Sequence, residues 1–289
     1  MSPISESGIF KTSDSAAIHY SLHGAHPSAP RIALIHSLAL DESIWVGVAG
    51  ELANQFEILT YDCRGHGKSE RRPENFTMGL FARDLAELLD HVGWTAAAVA
   101  GCSMGGCVAQ AFAGLYPSRV TALGLIDTTS WYGEDAPRTW RERAAMARAK
   151  GLKTMVEFQT TRWFGDKFRA SSPDLVKKMS RIFLANNLDC YAATCVMLGD
   201  ADLRAHLPTF HMPVSVLVGE EDYATPVAMS QQLHEAIPGS SFQILPGARH
   251  LTPVECPDEI ASSLRNLLGR IDLRKARVNA KAKREEPRE

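Results

Sequence analysis

The feature that most constrains this chain is a five-residue turn, Gly101-Cys102-Ser103-Met104-Gly105, set between two regular elements. The apolar run Ala96–Ala100 ahead of it predicts a strand ending at Gly101, and Met104–Leu115 behind it, rich in small residues, predicts a helix. A bare G-x-S-x-G match is weak, because it also fits a Gly-rich helix start whose serine is an N-cap. Between a strand and a helix it means more. A serine there sits on a strained turn with its hydroxyl held above the strand ends, and glycine is needed on either side where a side chain would strike the neighbouring strand or helix. The free N–H groups of the first helical turn face the same place, so negative charge developing on a carbonyl oxygen would be stabilised there.

The rest of the chain repeats this rhythm. Ile9–Lys11 and Ala17–Leu22 predict a hairpin. Arg31–His36, Phe56–Tyr61, Val120–Ile126, Pro213–Val218 and Ser241–Leu245 predict further strands. Helical spacing appears over Phe81–Val92, near Ala228–Ala236 and over Pro257–Leu268. Alternating strands and helices imply an α/β fold, a mostly parallel eight-stranded sheet flanked by helices. Residues 1–130 and 208–270 would form this core. Residues 131–207 show helical patterns only and would be an inserted lid. Residues 271–289, rich in Lys, Arg and Glu, predict a frayed or disordered tail.

Composition excludes several classes. A chain of 289 residues buries enough surface to need no disulfide or metal staple, and a net charge of −2 makes no case for nucleic acid or a membrane surface. The six cysteines form no C-x-x-C or Cys/His cluster, so no metal site is expected, and Cys102 and Cys107 read as buried thiols. The N-terminus lacks a basic segment followed by an apolar run, and no stretch approaches the ~20 apolar residues of a membrane span. A cytoplasmic enzyme without a cofactor is the expectation.

A serine hydroxyl is a poor nucleophile at neutral pH and requires a base. Of ten histidines, His250 stands apart, because it follows the last strand in a loop that opens at the same strand-end face as Ser103. His36 and His66 belong to turns, and Arg64 with His66 reads as structural. A carboxylate should orient the imidazole. Asp222, after Pro213–Val218, is the first choice. Glu221 and Glu220 are weaker, and Asp127, after Val120–Ile126, is the rival.

With these residues in place the chain resembles the α/β-hydrolase superfamily, through IALIHSLALDESIW, YDCRGHGKS, GCSMGG, VLVGEEDYATP and GARHLTPVECP. The resemblance implies a Ser103, Asp222, His250 triad in that chain order, with the backbone N–H groups of Leu38 and Met104 as oxyanion donors. A narrower resemblance is to 3-oxoadipate enol-lactonases. Ser37 in His36-Ser37-Leu38, the stretch Tyr191–Cys195, Asp200–Arg204, Trp140 with Arg143, and Arg162-Trp163-Phe164 carry it, whereas Ala39 departs from the glycine usual there. It implies hydrolysis of a small anionic ester or lactone, in which Arg143 or Arg162 would meet the substrate charge and Trp140 and Trp163 would wall the pocket. Other esterases, carbon–carbon bond hydrolases and perhydrolases share these residues. Dehalogenases and epoxide hydrolases carry Asp at the position of Ser103. A small-molecule sensor on the same fold is the alternative of another class.

Overall fold

The computed structural model describes residues 4–24 and 29–285. Eight strands form one sheet: β1 (Ile4–Lys11), β2 (Ala17–His23), β3 (Arg31–Ile35), β4 (Glu57–Tyr61), β5 (Ala97–Cys102), β6 (Val120–Ile126), β7 (Val214–Gly219) and β8 (Ser241–Leu245). The helices are α1 (Val46–Leu52), α2 (Met78–His91), α3 (Met104–Leu115), α4 (Ala136–Lys150), α5 (Val156–Trp163), α6 (Asp166–Ser171), α7 (Pro173–Leu184), α8 (Leu188–Gly199), α9 (Val227–Ala236), α10 (Thr252–Glu255) and α11 (Pro257–Glu285). The strand order is β1-β2-β4-β3-β5-β6-β7-β8. Only β2 runs against its neighbours, and every pairing from β4 to β8 is parallel. The central strands β5 and β7 are buried along their whole length, which is why they read as unbroken apolar runs.

Helix α2 illustrates how the sheet is covered. Thr77 caps it by accepting from the Leu80 N–H. Phe81, Leu85, Leu88 and Leu89 lie on one face and are all 0–1% exposed, each burial worth roughly 1.5–3 kcal/mol. Gly93, at φ +72°, turns the chain out of the helix.

The insertion between β6 and β7 carries α4 to α8 and contains no strand. A single antiparallel bridge, Trp131 with Asp202, joins its two ends. The chain end differs from expectation. The last helix was expected to stop at Leu268 and a frayed segment to follow, yet the backbone stays helical to Glu285. Residues 271–285 contain neither Gly nor Pro and are rich in Ala, Lys and Arg. Their helix propensity is high even though few of them are large and apolar. The last four residues of the expected tail lie outside the described residues. Among the described residues no single helix is long and apolar enough to cross a membrane.

Candidate active site

Strand β5 ends in a forced turn. Ser103 has φ 55° and ψ −116°, a conformation that L residues avoid, and its side chain makes no capping bond to α3. The N-cap explanation of the motif therefore falls away. A Cβ on Gly101 would lie 2.1 Å from the Gly105 carbonyl oxygen, and one on Gly105 would lie 2.2 Å from that of Ile35. Both glycines are demanded by backbone packed against backbone. The Ser103 N–H donates to Ile126, and its carbonyl accepts from Thr128 Oγ1 at 2.7 Å, so the turn is held from both sides.

The parallel sheet brings three loops to this turn. The Ser103 hydroxyl lies 2.9 Å from His250 Nε2, and His250 Nδ1 lies 2.8 Å from Asp222 Oδ2. All three are at most 6% exposed. Asp222 also accepts from the N–H groups of Ala224 and Thr225 and from the Thr225 hydroxyl, so its carboxylate is fully used. Burial works to raise its pKa, but the His250 charge and these donors hold it below the usual carboxylate range. Asp127 is engaged elsewhere. Its oxygens accept from Gly219 N–H and from the N–H and hydroxyl of Thr252, which ties the end of β7 to the residues after His250. Burial and the charge of Asp222 push its pKa up. Glu220 and Glu221 turn to Gly247 and Arg249 instead.

The turn after β3 is set by a buried histidine. His36 Nδ1 donates to the Ser37 carbonyl at 2.7 Å, and its Nε2 accepts from Cys63 N–H at 2.8 Å. This arrangement requires the neutral ring, and burial lowers the His36 pKa accordingly. The Ser37 carbonyl and the Leu38 N–H belong to one trans peptide, so fixing the first aims the second the opposite way. Neither Leu38 N–H nor Met104 N–H donates to a backbone carbonyl among the described residues. Ala39 has φ 59°, which explains why glycine suits this position. Asn186, between α7 and α8, donates to its carbonyl at 2.7 Å and so ties the cap to the turn.

Over Ser103 and His250 lies a narrow cavity of about 20 Å³, walled by Trp140, Arg143, Arg162 and Trp163. All four predicted cap residues therefore line the same cavity as Ser103 and His250. Arg143 Nε donates to the Tyr191 hydroxyl at 2.7 Å, and its guanidinium lies 5.1 Å from the Trp140 ring centre. Arg162 donates to the Ala224 carbonyl at 3.3 Å. Burial and the nearby Arg143 push its pKa down to about 10. Neither arginine is paired with a carboxylate among the described residues. The end of α5 is fastened to the His250 loop. Leu251 N–H donates to Trp163, Arg249 donates to Thr161 and Phe164, and Glu255 accepts from Gly165. Four further residues of the cavity wall escaped the reading of the sequence: Tyr132, Gln159, Ala224 and Thr225. Thr225 had a signal, since Asp222-x-x-Thr225 is a local side-chain-capped turn. Gln159 had a fainter one, its position three and four residues before Arg162 and Trp163 on one helix face.

Known proteins share this architecture. A family model described as alpha/beta hydrolase fold matches residues 30–257. The 3-oxoadipate enol-lactonase 2 of Acinetobacter baylyi is 30% identical over 261 residues, which cover 90% of this chain and 96% of that protein. The enol-lactonase of Burkholderia xenovorans LB400 superposes with a TM-score of 0.86 at 29% identity, covering 91% of this chain and 100% of that one. A thermophilic esterase of Thermogutta terrifontis, solved with malate bound, gives 0.86 at 27%, covering 92% and 99%. The strained serine turn, the parallel sheet that converges on it and the matched family model together place this chain in the α/β-hydrolase fold family, related to enol-lactonases at about 30% identity.

Proposed function

We propose that this protein is a serine hydrolase that cleaves the ester or lactone bond of a small anionic substrate through an acyl-enzyme. The observation that carries the reading is the unbroken chain Asp222–His250–Ser103, ending in a cavity lined by two arginines without carboxylate partners. His250 takes the proton of the Ser103 hydroxyl as the oxygen adds to the substrate carbonyl. The resulting oxyanion is met by Leu38 and Met104 N–H. Collapse expels the alcohol or enol oxygen, which receives the proton from His250. Water, deprotonated by His250, then cleaves the acyl-enzyme and regenerates Ser103. In an enol-lactone the expelled oxygen stays tethered to the acyl chain, and the released enol tautomerises to a ketone.

Arg143 and Arg162 suit a substrate carboxylate, because a guanidinium lying partly out of water gains most from a charged partner. The enol-lactone for which the Acinetobacter and Burkholderia relatives are named is the first substrate to test. The malate bound to the Thermogutta esterase is a small dicarboxylate of the same charge class. The test has two parts. Purified protein should turn over p-nitrophenyl acetate many times, and Ser103→Ala should lower turnover by about 10³-fold or more. A sensor would give no multiple turnover. The enol-lactone should then exceed a neutral ester of similar size in kcat/KM, and preference for the neutral ester would refute the anionic part.

A further inference from the structure

Among the residues of the cavity wall, Gln159 has an enclosed polar atom with nothing to bind. Gln159 is 2% exposed and lines the cavity beside Ser103, Arg143 and Arg162. Its Oε1 is enclosed, and no donor reaches it among the described residues. A buried carboxamide oxygen without a partner is costly, and such groups in native proteins usually find a protein, water or ligand partner. Packing does not require a Gln here, since an apolar side chain would fill the same wall without that cost. The position is also rigidly placed. Gln159 lies one turn before Trp163, whose carbonyl accepts from Leu251 N–H beside His250. The cavity has room for about one water, so a substrate would enter only if residues of its wall move, and the same movement would have to open Gln159 Oε1 to it.

We infer that Gln159 is a specificity-determining residue whose carboxamide oxygen accepts from an O–H or N–H of the substrate. The preferred substrate is then an anionic ester or lactone that also bears a hydrogen-bond donor. The two arginines supply donors alone, so they recognise the anion and leave the donor group to Gln159. This inference rests on the serine-hydrolase reading of the site. It does not require the enol-lactone to be the substrate.

Two p-nitrophenyl hemiesters test it, that of glutarate and that of 3-hydroxyglutarate, which differ by one hydroxyl. The native enzyme should favour the hydroxylated ester by about tenfold in kcat/KM, and Gln159→Met should bring the ratio to within about twofold of one. Gln159→Met should melt at or above the native temperature, since no hydrogen bond is lost. Equal use of the two esters by the native enzyme overturns the inference. So does a variant that keeps the preference, or one that melts lower with the ratio unmoved, the mark of a structural role. Calorimetric binding of free 3-hydroxyglutarate and glutarate to Ser103→Ala separates recognition from chemistry. Tighter binding of the hydroxylated acid, lost in the double variant with Gln159→Met, upholds Gln159 even where neither ester turns over. Failure of turnover alone refutes the hydrolase reading.

Discussion

Replacing Arg162 with methionine should stabilise the protein and impair it for anionic substrates at once. In the fold its pKa is pushed down to about 10, first through burial and then through Arg143. At 1.36 kcal/mol per pKa step this marks a native-state penalty of at most about 3 kcal/mol. Arg162 as a whole is only half-buried, which reduces the figure to about 1–2 kcal/mol. The bond lost to the Ala224 carbonyl is long, at 3.3 Å, and offsets little. Arg162→Met should therefore raise Tm by about 2–6 °C. Because the depressed value belongs to the folded state, the penalty is fully present below about pH 10 and is relieved as pH rises from there toward the ordinary arginine range. The variant's advantage should fade over that window. The same substitution removes a charged hydrogen-bond donor from the substrate wall. The kcat/KM ratio of p-nitrophenyl hemiglutarate to p-nitrophenyl pentanoate, two esters of similar size, should fall by about 10–100-fold. Protection by glutarate in thermal melts should weaken above about pH 10 in the native protein and be small at every pH in the variant. A lower Tm with an unchanged ratio would mean that Arg162 is a structural residue and that the cavity is not built for an anion.

The acid assignment and the buried histidines give further tests. Asp222→Asn should lower kcat by about 10³–10⁴-fold, because an amide favours the wrong imidazole tautomer, whereas Asp127→Asn should mainly lower stability, by about 2–3 kcal/mol, and keep kcat within about tenfold. Steady-state kinetics and urea melts on both decide this, and the reverse pattern would move the acid to Asp127. His66 is held neutral by burial and by His36 beside it, with a pKa pushed down to about 3. Its effect on stability is absent above about pH 6.5 and grows as pH falls toward 3, on the order of 5 kcal/mol in full, because the unfolded chain takes up the proton first. His66→Gln should flatten the acid side of the stability profile in urea melts, and an unchanged profile would place the acid sensitivity elsewhere.

What was legible in the sequence divides along a physical line. Ser103 could be read because backbone collisions dictate glycine at 101 and 105, and such constraints leave local marks. His250 and Asp222 could be read because strand ends are visible as the close of apolar runs. Asp127 could not be separated from Asp222, since both follow strands. The difference lies in which donors surround each carboxylate, and Gly219 and Thr252, which occupy Asp127, are distant in sequence. The tail was expected to fray because low apolar content was weighed and helix propensity was not. Gln159 was missed because an unsatisfied polar group is defined by what fails to surround it, and no sequence window records that. The cap follows the same division. Its helices could be anticipated from periodicity, but its attachment rests on Arg249 and Glu255, two side chains in the His250 loop that hold backbone groups of residues 161–165. Through them the wall bearing Gln159, Arg162 and Trp163 shares a frame with His250. If the site works as proposed, substrate choice and proton transfer are coupled through this frame, and a substitution at Arg249 should disturb both together.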